Sequence, residues 1–201
     1  MITRLFIPKI IGALIVMAIV PDVAVADWTL IVPDKPVTVA NSTMKVTPKS
    51  VWNRWSSRPS SFGEIWTIDG ASLNELTFFA KVTSGSTLYN EMDEANAPLP
   101  VFRKDMLPTD LVELFESSNR ILLQSSVFNV DEAEPAKLSG HVAVRFRYSY
   151  ASEADGLLRK GEGVAANIDG NLYLINFVAP QIHYFDRDVI KFRQIVDSIS
   201  I

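Results

Sequence analysis

The side chains that most often carry out chemistry are scarce in this sequence. Its 201 residues include no cysteine and only two histidines, His141 and His183. Without cysteine there is no thiolate nucleophile, and most soft-metal sites are excluded. A metal site or a catalytic triad needs histidines at a ligand spacing, or close to a nucleophile and an acid. Neither histidine has such neighbours, so we expect surface or capping roles for both. The sequence therefore predicts no catalytic residue, no metal and no cofactor.

Two acidic runs remain as candidates for acid–base chemistry. They comprise Glu91, Asp93 and Glu94 in one segment and Asp131, Glu132 and Glu134 in another. Paired carboxylates hydrolyse glycosidic bonds when they face each other at a defined separation. A carboxylate-dependent hydrolase acting on envelope glycans is therefore the alternative function, and it requires these acids to converge in one cleft. Solvated loop faces are the simpler interpretation.

The short motif Gly161-Glu162-Gly163 is a weak candidate for a phosphate loop. A nucleotide-binding loop needs a third glycine and a helix that follows it, and this segment has neither. We therefore predict a turn at the glycines.

Tryptophan and arginine side chains give the strongest indication of a binding surface. Both residue types are enriched at binding hot spots, because they bury a large area and keep a polar group. The primary candidates are Trp52, Arg54, Trp55 and Arg58, and the secondary candidates are Arg145 and Arg147, beside Tyr148. Two alternatives stay open. The two tryptophans can fill the edge of a core, and the last two arginines can form a surface row paired to the acidic loops.

The elements that position these residues follow from hydrophobic periodicity. Alternating apolar and β-branched residues indicate strands, a four-and-three spacing indicates helices, and Asp-Gly pairs indicate tight turns. Strands are predicted at 28–32, 37–39, 44–47, 64–68, 76–82, 127–136, 141–150, 162–168 and 171–178, with helices from 108 to 119 or 123 and over 184–198. The fold class is therefore α+β, a central antiparallel β-sheet with helices packed on it.

The first 26 residues have the pattern of a secretory signal. Arg4 and Lys9 precede an apolar run from Ile10 to Val20, and Ala24-Val25-Ala26 places small residues at a cleavage site. We expect cleavage after Ala26, a periplasmic or secreted product, and no stable membrane insertion afterwards. The alternative is an uncleaved membrane anchor, although the run is about half of the roughly 20 apolar residues that a spanning helix needs.

Length and charge limit the remaining possibilities. Removing residues 1–26 leaves 175 of the 201 residues, enough for one domain with a sizeable core. We divide the chain into a signal peptide at 1–26, an N-terminal β-hairpin or extended arm at 27–50, and an α+β sandwich at 51–201. The net charge of −4 gives no electrostatic indication of nucleic-acid binding.

The last third of the chain resembles the PsbP family, the extrinsic photosystem II protein and its bacterial relatives. The residues that carry the resemblance are Asp169-Gly170, Leu172-Tyr173, Ala179, Tyr184-Phe185, Lys191-Phe192 and Ser198. The resemblance implies a final hairpin strand, a closing helix and an αβα sandwich, and it includes uncharacterised exported bacterial proteins with this fold. It also implies docking rather than catalysis. We therefore expect an exported, non-enzymatic binding module whose partner is an envelope protein or a small amphipathic ligand held between sheet and helices.

Overall fold

A computed structural model describes residues 28–91, 95–124, 127–152 and 155–201. The predicted signal peptide and two of the candidate acids, Asp93 and Glu94, lie outside these ranges. Within them, no helix is both long enough and apolar enough to cross a membrane.

Ten strands and two helices make up the described part of the chain. The strands are β1 (Trp28–Ile31), β2 (Val37–Thr38), β3 (Lys45–Val46), β4 (Trp52–Trp55), β5 (Gly63–Thr67), β6 (Glu75–Val82), β7 (Phe128–Leu138), β8 (His141–Ala151), β9 (Leu158–Ile168) and β10 (Asn171–Pro180). The helices are α1 (Pro108–Leu123), between β6 and β7, and α2 (Tyr184–Asp197), after β10.

Eight of the strands form one sheet in the order β1-β4-β5-β6-β10-β9-β8-β7, and β2 pairs with β3 as a separate hairpin. Every pair is antiparallel. The predicted α+β class, with a central antiparallel sheet and helices packed on it, is confirmed.

The two faces of the sheet carry two separate hydrophobic cores. One core contains the apolar face of α2 together with the β2–β3 hairpin and two fully buried tryptophans, Trp52 and Trp66. The other contains the apolar face of α1, centred on Phe115. Each helix covers one face because its apolar residues recur at a helical spacing and must be removed from water.

Alternation along β8 was predicted and is observed. Val144, Phe146 and Tyr148 belong to the α1-side core, whereas Ala143 belongs to the α2-side core. Two predictions were incomplete. The segment from Val51 to Arg58 contains a strand, β4, and β9 begins four residues earlier than expected, at Leu158.

Pro108 begins α1, as the sequence predicted, because proline is tolerated at the first helical position. Asp110 accepts a hydrogen bond from the backbone N–H of Leu107 at 2.8 Å. At the other end, Gln124 takes a left-handed conformation and its N–H donates to the carbonyl of Ile121. These contacts fix where α1 ends over the sheet.

Candidate functional site

The tryptophan and arginine segment is divided between the core and the surface. The side chain of Trp52 is fully buried in the α2-side core, opposite Ile31 of β1. Trp52 therefore has the packing role that the sequence left open. Its indole is inaccessible to a docking partner in this conformation.

Trp55 lies on the opposite face of β4 and is partly exposed. Its ring stacks on Trp28 of the edge strand β1, with ring centroids 5.5 Å apart, and Trp28 is 43% exposed. Cross-strand aromatic pairs of this kind stabilise an edge. The pair also leaves an aromatic surface next to the unpaired side of β1, so a docking role for Trp55 stays a prediction.

Arg54 and Arg58 both point at one buried carboxylate, that of Glu64. The distances are 3.8 Å from Arg54 Nη1 to Oε1 and 3.6 Å from Arg58 Nη2 to Oε2. Glu64 also accepts hydrogen bonds from the indole of Trp66 at 2.7 Å and from the backbone N–H of Ala40 at 3.0 Å. The two arginines therefore offset the charge of a carboxylate that holds the β2–β3 hairpin to the sheet.

Arg145 and Arg147 surround a second buried carboxylate, Glu162 of β9, together with Arg193 of α2. The contacts with Glu162 are 3.7 Å for Arg145, 3.3 Å for Arg147 and 2.6 Å for Arg193. Burial opposes the charge of Glu162, but hydrogen bonds from Arg193 and Arg147 and the positive charge of Arg145 outweigh it. The pKa of Glu162 is therefore held below its ordinary value. Arg147 also pairs with Glu132 at 2.6 Å, so both arginines have acidic partners, and a role for them in binding stays a prediction.

The acids proposed for a hydrolase lie on different elements. Glu91 is exposed in the loop after β6 and accepts a hydrogen bond from the N–H of Leu99 at 3.3 Å. Asp131 and Glu132 are exposed on β7, at the edge of the sheet. With Asp93 outside the described ranges, these three acids do not share a cleft. The hydrolase hypothesis therefore finds no support in their placement.

The predicted turn at Gly161 and Gly163 is wrong, because both lie inside β9. Gly161 pairs with Tyr148 and Gly163 with Phe146. A Cβ atom would lie 2.1 Å from the Tyr148 ring at Gly161, and 2.3 Å from the Phe146 ring at Gly163. The glycines are needed because two aromatic rings lie flat across the strand, and Glu162 between them faces the arginines on the opposite side.

Because the Tyr148 ring lies across β9, its hydroxyl reaches β10 and donates to Asn176 Oδ1 at 3.0 Å. This hydroxyl lies in a cavity of about 290 Å³ between the sheet and the end of α1, which we call the tyrosine cavity. Its lining is Ala71, Ser72, Glu75, Tyr89, Asn119, Leu122, Leu123, Tyr148, Tyr150, Ser152, Arg159, Asn176 and Val178.

The strand register explains why these residues meet. Glu75 of β6 pairs with Val178 of β10, which pairs with Gly161 of β9, which pairs with Tyr148 of β8. Residues paired across a sheet project from the same face. This row therefore places the Glu75 carboxyl and the Tyr148 ring on one side, with Val178 and Gly161 between them, and the glycine makes room for the Tyr148 ring.

Hydrogen bonds fix most of the polar groups of the tyrosine cavity. The Tyr89 hydroxyl donates to Asn119 Oδ1 at 3.1 Å, and the Asn119 amide donates to the carbonyl of Phe115 at 2.8 Å. Glu75 accepts from the Thr77 hydroxyl at 2.8 Å. Within the described part of the chain, the Tyr150 hydroxyl has no hydrogen-bond partner and remains available to a ligand.

Burial changes the ionisation of four acidic groups in this cavity. It raises the pKa of the Glu75 carboxyl, and the hydrogen bond from Thr77 and the charge of Arg159 offset this only in part. Burial also raises the pKa of Tyr89 and Tyr148, and that of Tyr150 to about 12. Shifted ionisation in a cavity marks a candidate functional site.

Arg159 closes one side of the tyrosine cavity. Its guanidinium donates to the carbonyl of Ser72 at 2.8 Å and to Asp155 at 2.5 Å. Asp155 is exposed, and a backbone hydrogen bond from Leu157, followed by contacts with Ser152 and Arg159, lowers its pKa. The positive charge of Arg159 therefore has an acidic partner outside the cavity.

Sequence reasoning missed the tyrosine cavity. In the sequence, Tyr148 was notable only as a neighbour of Arg145 and Arg147, whose side chains face the other side of the sheet. The available signal was the combination of Tyr148 and Tyr150 at alternating positions with a strand containing two glycines. Its meaning depends on the register that pairs β8 with β9, and local periodicity does not specify that register.

No protein-family model matches this chain, and no curated protein sequence matches it either. Solved structures do match. The cyanobacterial PsbP, CyanoP, from Synechocystis sp. PCC 6803 has a TM-score of 0.50 and 12% sequence identity over 90% of this chain and 95% of that chain.

Two further solved structures are more distant. A protein of unknown function, PA94, from Pseudomonas aeruginosa has a TM-score of 0.42 and 13% identity, with 76% of this chain and 93% of that chain covered. LpqN from Mycobacterium tuberculosis, described as involved in cell envelope biogenesis, has a TM-score of 0.35 and 13% identity over 88% of this chain and 86% of that chain. The match to CyanoP alone shows that the chain has a PsbP-like fold, as the sequence resemblance implied.

Proposed function

We propose that this protein is an exported, non-catalytic binding module that takes a small amphipathic ligand into the tyrosine cavity. One observation carries the proposal. Polar groups of Glu75, Tyr148, Tyr150 and Asn176 converge in an open space between the sheet and α1. Binding sites are typically concave, with a few placed polar groups among apolar walls, and the volume of about 290 Å³ suits a small molecule.

Apolar side chains at the same end of the sheet support the amphipathic character of the ligand. A second hollow of about 490 Å³ is lined by Leu73, Leu157, Leu158, Pro180, Gln181, Ile182 and Tyr184. Leu73 follows Ser72 directly, and Leu158 precedes Arg159, so the apolar lining adjoins the polar one along two segments. Exposed apolar clusters of this kind often mark ligand-binding sites.

The placement of the histidines supports a non-catalytic role. His141 begins β8 and His183 precedes α2, both are exposed, and neither lines the tyrosine cavity. Tyrosine, asparagine and the Glu75 carboxyl serve there as hydrogen-bonding groups, with no histidine base in the lining. The support for export is the signal pattern that ends at Ala26.

A cavity-filling variant tests the proposal. In Val178→Phe the larger ring occupies the tyrosine cavity, because Val178 lies between Glu75 and Gly161 in the same row of the sheet. We expect fragments from a panel of small amphipathic molecules to shift the backbone amide resonances of Tyr148 and Asn176 in the unaltered protein. The same fragments should produce no such shifts in the variant.

The matched control is Val142→Phe, which makes the same change at a position that is 74% exposed on β8. It should bind the fragments as the unaltered protein does. Resonance dispersion and the Tm establish that both variants fold. If no fragment shifts resonances at the cavity, or if Val178→Phe binds as well as its control, the tyrosine cavity is not a ligand site.

A protein partner at the aromatic edge is the second candidate function. The stacked pair Trp28 and Trp55 and exposed Leu30, at 60%, lie beside the unpaired side of β1. Edge strands recruit extended segments of other chains. This edge favours docking of a protein segment and is independent of the tyrosine cavity.

A further inference from the structure

Three groups of the tyrosine cavity can accept hydrogen bonds from a ligand: the carboxyl of Glu75 and the hydroxyl oxygens of Tyr89 and Tyr148. Tyr89 and Tyr148 each donate their hydroxyl proton to another residue of the lining, Asn119 and Asn176 respectively. A phenol oxygen that donates its only proton can still accept a hydrogen bond. Two tyrosine oxygens are therefore available as acceptors, next to the carboxyl of Glu75.

Glu75 is the one lining carboxylate, and it lacks a direct counterion. Among the residues that the structure describes, no basic side chain forms an ion pair with it. Arg159 contributes a favourable charge from a distance, but its terminal nitrogens are engaged by Ser72 and Asp155. With Asp155 offsetting Arg159, an ionised Glu75 leaves the cavity with a net negative charge.

The walls of the cavity also favour a cation. Tyr148 and Tyr150 are stacked with Phe128, at centroid distances of 4.9 and 5.6 Å from it, so their rings are fixed in place. Aromatic rings attract ammonium groups, and the attraction increases where water is excluded. An ammonium group presents three N–H donors and no acceptor, which matches two phenol oxygens and one carboxylate.

We propose that the tyrosine cavity binds a small primary ammonium ligand, whose charged nitrogen pairs with Glu75 and donates to Tyr89 and Tyr148. This inference rests on the proposed function, since it names the ligand class of the same site. Leu122, Leu123 and Val178 line the space for a short alkyl chain.

Binding of the cation is coupled to loss of one proton. In the free protein burial favours the neutral carboxyl of Glu75. When the ammonium binds, Glu75 releases its proton to solvent and the carboxylate pairs with the ligand, so the charge of the site is balanced. Affinity for the cation therefore increases as the pH rises through the pKa of Glu75 and decreases as the pH falls.

The groups that face Glu75 do not reverse this direction. Tyr89, Tyr148 and Tyr150 have raised pKa values and stay neutral through the range in which a carboxyl titrates. Asp155, the acidic partner of Arg159, stays negative at neutral pH because its pKa is lowered. The other lining residues, from α1, β10 and the loop before β6, do not titrate.

The test uses n-butylammonium chloride as the probe and 1-butanol as its neutral counterpart. Calorimetric titrations of the full mature chain at pH 8 and pH 5, in two buffers of different ionisation enthalpy, measure affinity and proton release. We expect butylammonium to bind more tightly at pH 8 than at pH 5, with release of a proton wherever Glu75 is protonated before binding, and no measurable binding of butanol.

Variants separate the proposed contacts. Glu75→Gln should lose at least tenfold in affinity for butylammonium and lose the pH dependence. Tyr148→Phe removes one acceptor and should weaken binding severalfold. The matched control Glu113→Gln changes an exposed acid on α1 and should bind with unchanged affinity.

Three outcomes would overturn the ammonium assignment. The first is equal binding of butanol and butylammonium, and the second is unchanged affinity in Glu75→Gln. The third is tighter binding of tetramethylammonium, which has no N–H donor. If fragments still shift resonances at the cavity in any of these cases, the proposed function stands and only the ligand class is wrong. If no probe or fragment reaches the cavity, both proposals fail.

Discussion

Glu162 and Glu75 are two carboxylates of this protein whose surroundings shift their pKa values in opposite directions. Three arginines contact Glu162, and its pKa is lowered even though burial opposes the charge. Glu75 has a hydroxyl from Thr77 and no ion-pair partner in the described ranges, and its pKa is raised by burial. The first arrangement stabilises the ionised form in the fold, and the second disfavours it.

We therefore predict opposite effects on the free energy of unfolding when Glu75 and Glu162 are each replaced by glutamine. An acid whose pKa is raised on folding stabilises the protein at low pH, and this stabilisation is lost as the pH rises through the folded-state pKa. At pH 8, folding must either bury the charged carboxylate of Glu75 or protonate it. Both lower the free energy of unfolding. Glu75→Gln should raise the free energy of unfolding at pH 8 by about 1 kcal/mol and have little effect at pH 4.

Glu162→Gln should lower the stability instead, because it leaves Arg145, Arg147 and Arg193 without their shared counterion. An acid whose pKa is lowered stabilises the fold above its unfolded-state pKa, and this stabilisation is lost as the pH falls through the folded-state pKa. The loss should be roughly 2–4 kcal/mol at pH 7 and smaller below pH 4. Urea unfolding from pH 4 to pH 8 measures both variants, and a destabilised Glu75→Gln would contradict this interpretation of the cavity.

At the scale of the element, the motif Gly161-Glu162-Gly163 gives β9 a different contact on each face of the sheet. Gly161 and Gly163 receive the rings of Tyr148 and Phe146 on the α1 side, and Glu162 receives the arginines on the α2 side. A strand is able to do this because successive side chains alternate between faces. The strand therefore positions the Tyr148 hydroxyl of the cavity and the charge cluster at the same time.

Gly161→Ala should test this role. A methyl group there lies 2.1 Å from the Tyr148 ring, so the ring must move and its hydroxyl loses Asn176. Overpacking a well-packed core costs about 1–3 kcal/mol, which chemical denaturation would measure. In the Tyr148→Ala background the same glycine change should cost much less, because the clash is absent. An equal cost in both backgrounds would show that the glycine is needed for another reason.

The elements themselves were predictable from the sequence, whereas their pairing was not. Alternation along β8, the Asp169-Gly170 turn and Pro108 at the start of α1 are local signals, because each is determined by a few neighbouring residues. The row from Glu75 to Tyr148 crosses four strands and joins residues as far apart in the chain as Glu75 and Val178, and it depends on register and on the partners of each strand. Local periodicity contains neither, so the tyrosine cavity was not predicted.

The same limit explains the prediction for the tryptophans. Their residue types indicated either a binding surface or a core edge, and only the pairing of β4 with β1 assigns Trp52 to the core and Trp55 to the surface. Likewise, the alternation of β8 showed that Arg145 and Arg147 share a face. It did not show that Glu162 and Arg193 meet them there.

At the scale of the whole molecule, one sheet separates two cores, and polar contacts lock α2 to the sheet. Asp188 of α2 is fully buried and accepts hydrogen bonds from Asn74 at 3.1 Å and from Lys191 at 2.8 Å. Arg187 joins Asp188 to Asp69 in the turn between β5 and β6. Burial opposes the charge of Asp188, but Arg187 and Lys191 outweigh it and lower its pKa.

The fold also has a consequence for the predicted processing of the chain. β1 begins at Trp28, and its Ile31 is buried against Trp52 of β4. Cleavage after Ala26 would remove the apolar run and leave every strand of the eight-stranded sheet intact. A cut only a few residues later would remove β1, expose Trp52 and open the edge of the α2-side core.

We therefore expect the protein recovered from an envelope or secreted fraction to begin at Asp27, with the sequence Asp27-Trp28-Thr29. Terminal sequencing and intact mass measure this directly. Ala26→Leu should block cleavage, because signal peptidase requires a small residue there, and should leave a longer, membrane-bound chain. Thr29→Leu is the matched control, since it lies beyond the predicted site and should be processed normally. Recovery of the unaltered chain with residues 1–26 still attached would support the anchored alternative, with the sheet-and-helix body held at the membrane surface by its first residues.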